Sequence, residues 1–232
     1  GWLNLDASGS GEVIGGEVVG MNPGSQWQLV NHADFNQDDH PDLLLRNQGS
    51  ENVVAWTLDG TSLDFESSIS LNDGEFGSAD WKVAGVAGTA DDNFEIASQN
   101  SSTGQIAYWE LSRGEGQSYE VGLGQLFNTQ PTNPKWRLVG LSDFNSDGTS
   151  DLFFQDTIRG TMAVWFLDDQ RDLQSASLLS LQTNDPAWEV RGLGDWDGDS
   201  KTDISLQNTT SGAIVLWFLD GVTYRSAVEV QN

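Results

Sequence analysis

Residues 136–156 read WRLVGLSDFNSDGTSDLFFQD: a Trp-led apolar segment, an acidic run of turn formers, and a second apolar segment closing on a polar pair. Two short apolar segments around Asp, Asn, Ser and Gly predict antiparallel strands joined by a tight loop. The phrase recurs. Trp27, Trp81, Trp136 and Trp188, which are 54, 55 and 52 residues apart, open WQLVNHADFN, WKVAGVAGTA, WRLVGLSDFN and WEVRGLGDWD. A second series, Trp56, Trp109, Trp165 and Trp217, lies in NVVAWTLDG, QIAYWELSRG, TMAVWFLDD and AIVLWFLDG. These segments are dense in the β-branched and aromatic residues that strands prefer.

Between the two Trp series runs DLLLRN, EIASQN, DLFFQD or DISLQN, followed by a polar turn. Gly104, Gly160 and Gly212 each stand five residues before their Trp, a hairpin signature that the first unit replaces with Glu51 and a nearby Gly49. A weaker fourth segment, such as ESSISL, SASLLSL or SAVEV, closes the unit. Four-stranded units of this period predict an all-β fold, a β-propeller of four-stranded antiparallel blades. Continuous apolar runs such as VVAW and IVLWFL fit strands covered on both faces. Gly85, Gly140 and Gly192, with Asn31 in the first unit, stand four residues after the first Trp, where an innermost strand crowds its counterparts.

A single propeller domain over 1–232 then divides into repeats 27–80, 81–135, 136–187 and 188–232, preceded by a half unit at 1–26. Trp2 precedes Trp27 by the same 25 residues that separate Trp56 from Trp81, so the chain holds about four and a half units. Both ends fall on second halves. A longer chain, an irregular closure or a second copy of this chain would complete the ring.

The chain has 10 Lys plus Arg against 35 Asp plus Glu, a formal net charge of −25, which sets nucleic acid and anionic membrane surfaces against it as partners. It has no Cys, so thiolate metal sites and cysteine nucleophiles are excluded, and no apolar run long enough for membrane insertion as a helix. Much of the acid is clustered. DFNQDDHPD at 34–42, DFNSDGTSD at 143–151 and DWDGDSKTD at 195–203 place carboxylate or amide oxygens at loop positions 1, 3, 5 and 9.

Ca²⁺ takes about six to eight oxygens, and alternate side chains on a curled loop can supply several, with a backbone carbonyl at position 7. The predicted ligands are Asp34, Asn36, Asp38, His40 and Asp42; Asp143, Asn145, Asp147, Thr149 and Asp151; and Asp195, Asp197, Asp199, Lys201 and Asp203. His40, Thr149 and Lys201 serve through their backbone. Position 6 calls for a left-handed residue, which Gly148 supplies freely and Asp39 and Ser200 under strain. Mg²⁺ is less suited, because it wants a stricter octahedron. An EF-hand is excluded: position 12 is Leu45, Phe154 or Leu206, and the flanks are strand-like. In the second unit GTADDNFE is one residue shorter, which predicts a lost or altered site among Asp91, Asp92 and Glu95.

The phrases LSDFNSDGTSDLFFQD and LGDWDGDSKTDISLQN resemble the FG-GAP or VCBS repeats of integrin-like propellers, a similarity that covers most of the chain from Trp27 onward. The resemblance implies calcium between the first two strands of a blade, in secreted or cell-surface proteins that bind proteins or glycans. It matches the residues at positions 1, 3, 5 and 9 in all three loops, without the Gly in the first.

The expected function is an extracellular calcium-binding module for protein or matrix adhesion, with structural calcium and no catalysis. The alternatives are a lectin or the propeller portion of an exported hydrolase. His32 and His40 are the only histidines, and no Ser lies in a nucleophile-elbow context. For a lectin, the irregular aromatics Trp196, Tyr119 and Tyr224 are better candidates than the regular Trp, which read as blade packing. The pairs Arg46–Asn47, Gln99–Asn100, Gln155–Asp156 and Gln207–Asn208 read first as hairpin caps and second as a ligand-facing set.

Overall fold

The computed structural model describes residues 2–5, 13–17, 24–38, 40–50, 52–59, 62–69, 80–89, 93–114 and 119–230. Among the described residues all regular structure is β. Strands β1 (Trp2–Leu5) and β2 (Val13–Glu17) form a two-stranded sheet, the strand content of half a blade. Blade 1 is β3 (Trp27–Ala33), β4 (Asp42–Asn47), β5 (Val53–Asp59) and β6 (Ser62–Ile69). Blade 2 is β7 (Trp81–Gly88), β8 (Phe94–Asn100) and β9 (Ile106–Arg113), with β10 (Tyr119–Val121) and β11 (Gln125–Leu126) both paired to β9.

Blade 3 is β12 (Trp136–Ser142), β13 (Asp151–Asp156), β14 (Met162–Leu167) and β15 (Leu173–Leu178). Blade 4 is β16 (Trp188–Gly194), β17 (Asp203–Asn208), β18 (Ile214–Asp220) and β19 (Thr223–Val230). In each blade the first four strands pair antiparallel in chain order, and the fold is an all-β propeller of four-stranded blades. The blades fall into two compact units, with blades 1 and 2 inside Glu17–Phe127 and blades 3 and 4 inside Asn128–Asn232.

Hairpin glycines adopt the left-handed conformation the turns require, at φ 79° for Gly104, 71° for Gly160 and 78° for Gly212. Every first strand also carries a bulge that periodicity does not reveal: pairing with the second strand skips Val30, Ala84, Val139 and Arg191. The small residue four places after the Trp sits directly beyond it. At Gly192 a Cβ would stand 3.0 Å from the Ser205 hydroxyl, a tight approach that the Ser205 side chain would have to relieve.

Trp81 and Trp109 join Phe35, Leu44, Phe94 and Ile96 in the core of the first unit, and Trp188 and Trp217 pack against Phe144, Phe153 and Ile204 in the second. These four regular Trp residues are therefore packing residues. β5 is buried from Val53 to Leu58 and β13 throughout, as continuous apolar runs predict. β18 differs. Only Leu216 and Leu219 are buried in it.

Candidate metal centre

Three of the four blades join their first two strands by a nine-residue acidic loop, with the last residue paired in register to the end of the first strand: Ala33 to Asp42, Ser142 to Asp151, Gly194 to Asp203. That last carboxylate is fully buried in all three. Its Oδ2 accepts the N–H of loop residue 2, from Phe35 at 2.7 Å, Phe144 at 3.0 Å and Trp196 at 2.9 Å. Its Oδ1 accepts the N–H of a third-strand leucine, from Leu58 at 2.8 Å, Leu167 at 3.0 Å and Leu219 at 2.9 Å. One side chain thus clamps the loop to both neighbouring strands, using N–H groups that would otherwise be buried without partners.

The rest of each loop curls around side-chain oxygens. The position 5 amide donates to the position 1 carboxylate and to the position 3 oxygen, for example Asp147 N–H to Asp143 at 3.2 Å and to Asn145 at 3.0 Å. The position 7 amide donates to position 5, from His40, Thr149 and Lys201 at 2.9, 2.8 and 2.9 Å. Two backbone positions are left-handed. Position 6 is so at Gly148 (φ 88°) and Ser200 (φ 63°), while Asp39 lies outside the described residues. Position 4 is left-handed as well, at Gln37 (φ 63°), Ser146 (φ 61°) and Gly198 (φ 80°). The sequence reading missed it because only one of the three is glycine.

The curl gathers negative charge. Ligand oxygens of Asp195, Asp197 and Asp203 lie within 4.8 Å of one another. Oxygens bound to one Ca²⁺ at about 2.3–2.6 Å are separated by no more than about 5 Å, so positions 1, 3 and 9 match the ion's first coordination layer. Burial, with Asp147 and Asp143 nearby, raises the Asp151 carboxyl to about 6, against the opposing hydrogen bonds from Leu167 and Phe144. Burial likewise raises Asp42 and Asp203. Asp147 is lowered, by the Thr149 amide first and the Asn145 side chain second. A divalent cation would favour ionisation of the buried acids and relieve their repulsion. The donor set therefore fits a hard cation.

Each unit also braces one loop from the adjacent blade. In the first unit Tyr119 O–H donates to the Phe35 carbonyl at 2.5 Å, and Arg113 donates to it at 3.0 Å and to Gln37 at 2.8 Å. In the second, the Thr202 hydroxyl donates to the Asp143 carbonyl at 3.1 Å and meets Ser142 Oγ at 2.7 Å.

Blade 2 joins its first two strands through a shorter connection, residues 89–93. Its strands extend by one further pair, Gly88 with Phe94, and Thr89 N–H closes onto the Asn93 carbonyl at 2.8 Å. Glu95 occupies the register of the clamping acid, opposite Ala87, and is buried. Asp91 and Asp92 lie outside the described residues.

The polar pairs divide in role. Asn47, Asn100, Asp156 and Asn208 each accept two amides of the following turn, as caps do. Gln155 instead ties blade 3 to blade 4, donating to the Trp188 carbonyl at 2.7 Å and accepting from Val190 N–H at 3.1 Å. Of the irregular aromatics, Tyr119 is engaged as above and Tyr224 packs edge-on to Trp217. Trp196 is 39% exposed, and its ring lies beside Gly192 and Gly194 at ordinary van der Waals distance. His32 and His40 are both exposed.

No protein-family model matches the chain, and no curated protein matches it in sequence.

Proposed function

We propose that this chain is a secreted or cell-surface propeller of the FG-GAP/VCBS type, whose three acidic loops bind structural Ca²⁺ and whose blades present a protein or matrix interaction surface. The observation that carries the reading is the threefold recurrence of one loop geometry, each with a buried acid bonded to a leucine N–H on the blade's third strand. An ion at such a loop tightens a blade. It also offsets part of a net charge of −25, and a site repeated on three blades suits stability better than catalysis.

Calorimetric titration of chelator-treated protein should give three Ca²⁺ per chain and a melting temperature that rises with free Ca²⁺. Each site contributes about 2.7 kcal/mol at a hundredfold excess over its Kd. An identical melting curve in chelator and in millimolar Ca²⁺ would refute the reading.

A recess of about 240 Å³ in the second unit, lined by Trp136, Phe154, Trp165, Thr132 and Ser177, favours a second reading as a lectin, since aromatic faces flanked by hydroxyls suit sugar stacking. A glycan array read with and without Ca²⁺ separates the two. Binding confined to one sugar class selects the lectin.

A further inference from the structure

The fourth-strand bulge is shared by three blades. Pairing between the third and fourth strands skips Asp64 in blade 1, Gln174 in blade 3 and Arg225 in blade 4. A bulge re-aims the side chain it carries. Gln174 donates to Asp168 at 2.6 Å. Arg225 instead forms an ion pair with Asp199, position 5 of the acidic loop of its own blade.

That contact replaces one that the other loops make internally. In blades 1 and 3 position 3 is asparagine, and its amide donates to the second oxygen of the position 5 acid: Asn36 to Asp38 Oδ2 at 2.9 Å, Asn145 to Asp147 Oδ2 at 2.7 Å. In blade 4 position 3 is Asp197, which has no donor when ionised. Asp199 Oδ2 takes the guanidinium of Arg225. The charge tally agrees. Positions 1, 3, 5 and 9 carry three carboxylates in blades 1 and 3 but four in blade 4, and the Arg225 guanidinium offsets one of the four. Lys201, the cation within the loop itself, faces Asp220 at 3.5 Å.

We propose that Arg225 is an internal counter-ion that permits a fourth carboxylate at Asp197 and holds down the affinity of this loop for a divalent cation. The first half concerns the metal-free fold alone. The second rests on reading the loops as cation sites.

The test uses Arg225→Gln, Asp197→Asn, the double variant and Arg225→Lys. In chelator, Arg225→Gln should lower the melting temperature by about 2 °C, the scale of a partly exposed ion pair in a chain of this size. Adding Asp197→Asn should recover most of that loss, because it rebuilds the asparagine arrangement of blades 1 and 3. Arg225→Lys should lose less than Arg225→Gln. Equal loss from Arg225→Gln with Asp or Asn at position 197 overturns the pairing.

For affinity the probe is Tb³⁺, a Ca²⁺ mimic sensitised by nearby Trp. Trp196 stands inside this loop where the others have Phe35 and Phe144, and Trp196→Phe identifies its share of the signal. Arg225→Gln should tighten the Trp196-dependent signal roughly three- to tenfold; unchanged affinity overturns the second half. Coupled melting shifts without any Tb³⁺ signal would sustain the pairing and defeat the cation reading, so the two failures are separable.

Discussion

Blades 2 and 3 place an acid at the same register point, Glu95 opposite Ala87 and Asp151 opposite Ser142, yet only blade 3 precedes it with the nine-residue loop. Blade 2 reaches the same meander with a shorter connection, its ends joined by the Thr89 N–H to Asn93 carbonyl bond. A blade therefore forms without the nine-residue version of the loop. Where the loop exists it adds clustered charge and left-handed residues that cost stability. That cost is the physical argument for a bound cation.

The largest expected effect comes from removing the feature that distinguishes blade 3. Asp151→Ala leaves the Phe144 and Leu167 amides without their acceptor, at about 1–3 kcal/mol each, and should lower the melting temperature by roughly 5–15 °C. Thermal melts in chelator check this. A loss under about 2 °C would show that the clamp is dispensable.

A smaller effect should appear on acidification. Asp151, raised to about 6, holds a proton in the folded chain near pH 5 that it releases on unfolding, and Asp42 and Asp203 are shifted in the same direction. In chelator, stability should therefore increase as pH falls from about 7 toward about 4.5, and this gain should vanish in saturating Ca²⁺. Below about 4 the trend should reverse as Asp147 and Asp156, both lowered, become protonated. Melting temperatures across that range, with and without Ca²⁺, decide it; a monotonic fall on acidification in chelator contradicts the assignment.

The smallest effect separates the loops of blades 3 and 4. Blade 3 has Ser146 and Gly148 at its two left-handed positions, and blade 4 has Gly198 and Ser200. Ser146→Gly and Ser200→Gly should each stabilise by about 0.5–1 kcal/mol, whereas Gly148→Ala should destabilise by a similar amount. Denaturant midpoints resolve changes of this size. Equal and opposite signs at the two positions would show that the loops are not equivalent.

The repeat, the strands and the three acidic loops are legible in the residues alone. Trp spacing, apolar runs and turn residues are local signals, and four copies reinforce one another. The hairpin caps were legible too, since Asn47, Asn100, Asp156 and Asn208 act within a few residues of themselves. What remained hidden depends on groups distant in the chain. The clamp from Asp151 to Leu167 spans 16 residues and ends on a backbone N–H, which no side-chain motif encodes. The bulge at Val139 is a property of pairing, and the left-handed Ser146 has no glycine to announce it.

Sequence by itself determined that this is an all-β repeat chain with three clusters of oxygen donors, because strand-forming residues and turn chemistry act locally. Tertiary structure alone decided which oxygens converge, which acid is buried, and that Arg225, 26 residues beyond Asp199, stands beside it. Burial and charge pairing arise only when separate strands are brought together.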